Sequence, residues 1–213
     1  MSSIYVHHRV TCEPRTWSDV AKQVIDLHDF VIRNNETSLY GLWRSQIGLP
    51  RDTITMISVW PDLETAKEKS NQICIGMEMV SAVETCIMSP TIRPKTNKRP
   101  RRQGNYAFRW FDTPLRNLDE FLKLCFEGWP DFESSYDSQI IGLWKIENND
   151  KTVKTLLLTR RPNLAMWERS KIPEGPKETS VREKLSRRYD LCDWTTVYTT
   201  TLLTAYDLSL IHI

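Results

Sequence analysis

Gly41-Leu42-Trp43-Arg44 recurs 101 residues later as Gly142-Leu143-Trp144-Lys145, and Pro61-Asp62-Leu63 recurs at the same displacement as Pro162-Asn163-Leu164. The chain is an internal duplication. A supersecondary unit that cannot bury both of its faces alone buries the second against its copy, so the repeat constrains the architecture more than any local motif does. The 213 residues then divide into two repeats of ordinary domain size.

Working outward from these tetrapeptides, each repeat reads as strand, helix, strand, strand, helix, strand. Tyr5 to Val10 is rich in β-branched and aromatic residues and is a strand, matched by the segment from Tyr106. Thr16 and Asn117 stand at N-cap positions with Asp19 and Glu120 three residues on, a near capping box in each copy. Val20, Val24, Leu27 and Val31 make the apolar stripe of the first helix, and Phe121, Cys125 and Phe132 that of the second. Hairpins follow at Leu39–Trp60 and Ile140–Thr159, turning through Gly48–Asp52 and Asn148–Asp150. Asp62 and Asn163 cap a second helix, and strands at Ala82–Met88 and Thr196–Leu202 close the units. The closing strands are offset by more than 101 residues, so the second copy carries an insertion near 173–190, read as a polar surface loop or short helix.

This order predicts an α+β fold, two ferredoxin-like βαββαβ repeats packed sheet to sheet as an intramolecular dimeric α/β barrel. The expected domains are 1–91, a basic, proline-containing linker at 92–105, and 106–207. The segment 208–213, Leu-Ser-Leu-Ile-His-Ile, matches the translation of a transposon-end sequencing adapter and is expected to be read-through in a metagenomic reading frame.

Net charge is +2, but the linker alone holds Arg93, Lys95, Lys98, Arg99, Arg101 and Arg102 without an acid. The rest of the chain is therefore mildly acidic, which argues against a broad nucleic-acid-binding face. The basic segment could serve as a spacer or dock phosphate-bearing partners. Five scattered cysteines without a C-x-x-C pair read as reduced packing residues. No secretory leader or membrane span is evident, and a cytoplasmic protein is expected.

Tyr106-Ala107-Phe108-Arg109-Trp110-Phe111 with Leu118-Asp119-Glu120-Phe121-Leu122, and Gly41-Leu42-Trp43 with Ser58-Val59-Trp60, resemble the opening strand, first helix and Trp-bearing strands of NIPSNAP proteins. The resemblance implies the dimeric α/β barrel superfamily, which includes monooxygenases, haem-degrading enzymes, chlorite dismutases and proteins without known activity. It also implies a ligand space between sheet and helices, lined by the first strand, with Arg109 at the family's arginine position and His8 at the corresponding place in the first copy.

The candidate ligand-binding residues are thus His8, Arg109, Trp43 and Trp144. A cation at Arg109 on an apolar face either meets an anionic ligand or is pinned by a neighbouring carboxylate. Trp43 and Trp144 either fill the core or clamp a ligand. His7 and His8 point to opposite faces and cannot chelate one metal. No metal or cofactor motif occurs; haem held by His28 is the one cofactor the resemblance brings in. The leading expectation is a small-molecule binding or interaction module without demonstrated chemistry. The alternative is a monooxygenase-type enzyme acting on an electron-rich or anionic small molecule. A monomeric pseudo-dimer or a homo-oligomer would satisfy the duplication.

Overall fold

The computed structural model describes residues 3–34, 37–74, 76–146 and 151–205, without the side chains of 28–34. The turn expected at Asn148–Asp150, the side chains of His28 and Val31, and segment 208–213 lie outside the described residues. The elements run β1 (Ile4–Cys12), α1 (Trp17–Asn34), β2 (Ser38–Ile47), β3 (Thr53–Trp60), α2 (Leu63–Lys69), β4 (Val80–Pro90), β5 (Asn105–Pro114), α3 (Leu118–Ser135), β6 (Gln139–Ile146), β7 (Thr152–Arg161), α4 (Leu164–Arg169), α5 (Pro176–Asp190) and β8 (Trp194–Leu202). This is the α+β class read from the sequence, with the βαββαβ order present in both repeats. The chain forms two compact units, Met1–Pro90 with Lys95–Gln103 and the chain from Tyr198, and Thr91–Pro94 with Gly104–Val197.

In the first unit the strand order is β4-β1-β3-β2, all antiparallel, with Tyr5 opposite Val59 and Met88. From Tyr198 onward β8 extends this sheet beside β2, placing Leu202 opposite Trp43. Alternation sends Val10, Leu42, Ile54 and Met56 to the helices, where they meet Val20 and Val24 of α1. Leu27, expected on the same stripe, is exposed. Asn97 of the basic segment accepts from the Tyr5 hydroxyl at 2.9 Å and donates to Ser3 Oγ at 2.7 Å.

In the second unit the order is β5-β7-β6, with Arg109 opposite Leu157 and Trp144 opposite Leu156. The approach to β8 lies beside β5, Asp193 N–H donating to the Asp112 carbonyl at 2.9 Å. Phe111, Phe121, Cys125, Phe132, Leu143 and Val181 build its helix-side core. The edge of β6 is met by the start of the basic segment: Thr91 N–H donates to the Leu143 carbonyl and Leu143 N–H to the Arg93 carbonyl, each at 2.9 Å.

The caps divide in two groups. Asp62 Oδ1 accepts from Thr65 N–H and Asn163 Oδ1 from Met166 N–H, both at 2.8 Å, as expected. The expected capping boxes differ. The Thr16 hydroxyl donates to the Glu13 carbonyl at 2.8 Å. Asn117 ends a 3-10 turn in a helical conformation, makes no side-chain cap, and donates Nδ2–H to the Leu191 carbonyl at 3.0 Å instead. All five cysteines are free thiols.

The repeated Gly-Leu-Trp has a steric cause. Leu42 and Leu143 face the helices, and the next residue, Trp43 or Trp144, turns to the other face and lays its indole back along its own strand. A Cβ at Gly41 or Gly142 would collide with that indole, and at Gly142 would also stand 2.9 Å from Pro94 Cδ. Gly128 in α3 differs: a Cβ there would meet Leu185 Cδ2 of α5 at 3.4 Å, an ordinary contact. Gly41→Ala and Gly142→Ala are therefore each expected to cost roughly 1–3 kcal/mol by overpacking. Gly128→Ala should be neutral or stabilise by up to about 1 kcal/mol through helix propensity. Urea unfolding of the three variants checks both signs.

Candidate functional site

The strand position one turn of alternation before Phe111 and Val10 carries a basic side chain in both repeats, and the two copies treat it differently. In the first unit His8 is fully buried. Its Nε2 meets Ser58 Oγ and its Nδ1 meets Thr85 Oγ1, each at 3.3 Å. Ser58 Oγ also accepts from Trp60 Nε1–H at 2.8 Å, which leaves its own proton to point elsewhere. A neutral imidazole has one donor and one acceptor nitrogen, so two hydroxyls satisfy it without charge. Burial pushes His8 down to about 3. His7, on the opposite face, is pushed to about 3 by burial and by Arg9, and shares a 3.1 Å hydrogen bond with the Tyr198 hydroxyl.

In the second unit the helix side is not filled. A cavity of about 250 Å³ opens behind β5 and β7. Its floor is Ala107 and Arg109 of β5 with Leu157, Thr159 and Arg161 of β7. Trp129, Phe132 and Tyr136, at the end of α3, form one wall, and Trp167 of α4 contributes to another. The remaining wall is α5, through Val181, Leu185, Arg188 and Tyr189, with Arg182 and Lys171 exposed at the rim. The insertion expected as a surface loop or short helix is thus a 15-residue helix that builds the site. Its apolar positions 181, 185 and 189 are spaced four apart, and the 3.6-residue period puts Arg188 on the same side.

Three guanidinium groups face this space, and no carboxylate is among the lining residues. Arg109 is half-buried, its guanidinium 5.6 Å from the centre of the Tyr189 ring. Burial lowers its pKa, with Arg188 and Arg182 adding repulsion. Arg161 donates to Thr159 Oγ1 at 3.0 Å and stacks over Phe132 and Trp167. It is held down to about 10 by burial first and by Arg109 second. Arg188 is only 4% exposed, lies 4.9 Å from the Phe111 ring centre and donates to Cys125 Sγ at 3.6 Å. Burial works against its charge and is outweighed by Cys125 and Tyr189. Yet burial also pushes the Cys125 thiol up, so near neutral pH that thiol is an uncharged acceptor and no counter-ion. Glu178, which meets the lining residue Tyr136, is already held by Arg169 at 2.9 Å, the Tyr136 hydroxyl at 3.3 Å and Glu174 N–H at 2.7 Å.

Of the four candidates, Arg109 lines the cavity, while His8, Trp43 and Trp144 stand elsewhere. Sequence reasoning did not single out Arg161, Arg188 or Trp129. The signals were an arginine at strand alternation from Thr159, and a four-residue stripe in an otherwise charged helix. Arg93, one of the six cations of the linker, forms a fork with Glu133 at 2.7 and 3.2 Å and donates to the Ile140 carbonyl at 3.3 Å, so it braces α3 against β6. Among the described residues no cluster of three metal-ligating side chains occurs, and no helix is long and apolar enough to cross a membrane.

No family model matches the sequence, and no curated protein does. Solved structures do match, along nearly the whole chain. An anthrone oxidase-like protein superposes with a TM-score of 0.62 at 11% identity, covering 98% of this chain and 96% of its own. Chlorite dismutase from Candidatus Nitrospira defluvii gives 0.61 at 6%, covering 99% and 92%. A haem-binding protein from Thermus thermophilus gives 0.57 at 8%, covering 95% and 91%. At such identities the likeness establishes the fold alone: the chain has the fold of the dimeric α/β barrel proteins.

Haem is the group these neighbours bring to the question. The cavity lining offers no histidine, cysteine or methionine as axial ligand, and of its two tyrosines Tyr136 gives its hydroxyl to Glu178 at 3.3 Å while the Tyr189 ring lies under the Arg109 and Arg188 guanidiniums. A cavity of about 150 Å³ holds benzene, so 250 Å³ suits a single substituted ring, well short of a porphyrin. These residues do not fit haem.

Two histidines kept neutral have a pH consequence. Their folded pKa values lie below the unfolded value of about 6.5, so the unfolded chain takes up protons first as the pH falls. Stability is therefore full above pH ~6.5 and is lost progressively towards pH 3, each histidine adding a slope of up to about 1.4 kcal/mol per pH unit. Urea midpoints measured from pH 7 to pH 4 should fall, and should fall less steeply in His8→Gln; equal slopes would contradict the neutral imidazole.

Proposed function

We propose that the protein is a NIPSNAP-like member of the dimeric α/β barrel class that binds a small organic anion in its second repeat. The observation that carries this reading is the convergence of Arg109, Arg161 and Arg188 on one ring-sized cavity without a lining carboxylate. Guanidinium groups that give up water recover the larger part of the cost with an anion, and the aromatic wall of Trp129, Phe132 and Trp167 suits the flat body of such a ligand. The first repeat, where a satisfied neutral His8 occupies the corresponding strand position, lacks that driving force.

The likeness to an anthrone oxidase-like protein, together with the ring-sized aromatic cavity, favours a second reading in which the bound anion is an electron-rich aromatic that is oxidised by dioxygen. A dihydroxybenzoate probe separates the two. Oxygen uptake that depends on the probe and disappears in Arg109→Leu supports the oxidase reading; binding without uptake supports the module.

Benzoate titrated calorimetrically should bind the parent protein, and Arg109→Leu should weaken it ten- to a hundred-fold, the range for losing a hydrogen bond to a charged group. Raising the salt should weaken binding less than it would for an exposed site, since partly buried charges are poorly screened. Undiminished binding by Arg109→Leu would remove the proposal.

A further inference from the structure

We infer that the ligand of the second repeat carries two negative charges on oxygen, borne by a single-ring or similarly small body. The inference rests on the anion-binding reading above and narrows it. Three donors on residues lining the cavity have no hydrogen-bond partner: Arg161 Nε, Arg188 Nε and Trp129 Nε1. Each is a buried atom, and Arg188 and Trp129 as whole residues are 4% and 2% exposed. Buried donors are rarely left unpaired, and an orphaned donor is costly, more so when charged. Together they mark where acceptors belong.

One carboxylate would not satisfy this arrangement. It offers two oxygens and one charge, whereas three guanidiniums on β5, β7 and α5 meet here with no lining acid and repel one another, as the effect of Arg109 on Arg161 shows. Further cations stand at the rim, where Arg182 is exposed and Lys171 is paired with Glu168 at 2.8 Å. A monoanion would leave two of the three inner charges uncompensated in a half-buried space. A dianion brings at least three acceptor oxygens and a charge that comes within one of the inner arginines. The volume limits the body to about one ring, as argued from the room that benzene needs.

The test compares benzoate, phthalate and phenyl phosphate by calorimetry on the full chain, with benzamide as the uncharged reference. Phthalate or phenyl phosphate should bind at least ten-fold more tightly than benzoate, and the preference should shrink to about two-fold in Arg161→Gln or Arg188→Gln while benzamide binding persists. A second arm needs no variant. Phenyl phosphate loses its second charge near pH 6, and the cavity lining contains no histidine or carboxylate to titrate between pH 7.5 and 5. Its affinity should therefore fall several-fold over that range while benzoate's holds. Equal affinities for all three anions, or a pH-independent phenyl phosphate, would overturn the dianion and leave the anion pocket standing. Failure of every anion to bind would overturn both. A preference that survives in both arginine variants would place the dianion elsewhere.

Discussion

Strands buried on both faces leave a ligand no room except where the helices fail to fill their side. In the first unit all eight residues of β3 are buried, and β1 and β2 expose few side chains. The Gly-Leu-Trp segments show how completely the surface is used. Leucine goes to the helices, and tryptophan folds onto the glycine of its own strand, so one tripeptide packs both faces. Whether a repeat can hold a small molecule then depends on what its helices carry.

The two repeats answer with different chemistry at one strand position. His8 can shed its proton, and as a neutral ring between Ser58 and Thr85 it becomes an ordinary buried polar group. Arginine cannot neutralise itself at any ordinary pH. Arg109 therefore stays charged even though burial works against it, and the same holds for Arg161 and Arg188. On the proposed reading, a repeat that keeps three such groups near one space gives up stability when empty and regains it when an anion arrives, by mass action. The asymmetry between the copies is thus electrostatic before it is geometric.

Much of this was legible in the residues. The repeat, the strands, the two hairpins and the caps at Asp62 and Asn163 follow from spacing and side-chain type. So does the placement of Arg109 on the helix-facing side of β5, because strand alternation is strict. The rest was hidden for identifiable reasons. Thr16 and Asn117 carry cap-forming side chains, but the Thr16 hydroxyl turns back to the Glu13 carbonyl in its own turn, and the Asn117 amide goes to the Leu191 carbonyl that tertiary structure brings near. The helix α5 has only Val181, Leu185 and Tyr189 to signal a buried face, amid charged residues that read as solvent-facing. Arg188 and Arg161 look like surface residues until the face they share with apolar neighbours is noticed. Arginine is the residue whose burial composition conceals best, since its stem packs as a hydrophobe while its head keeps its charge.

The insertion therefore has two roles that share one side chain. Its attachment to α3 rests on Val181 and Leu185, and on rim pairs such as Arg187 with Glu120 at 3.4 Å and Lys177 with Asp131 at 3.5 Å. Exposed pairs of this kind contribute little, so the apolar contacts hold the helix. Arg188 carries a cost among them, because docking α5 takes a guanidinium out of water, and the ring faces of Phe111 and Phe121 supply attraction but no counter-charge. An anion that pairs with Arg188 would offset this cost. On the proposed anion-binding reading, ligand binding and the docking of α5 are linked equilibria, each favouring the other by the same free energy, and the helix that encloses the cavity is held most firmly when the cavity is filled.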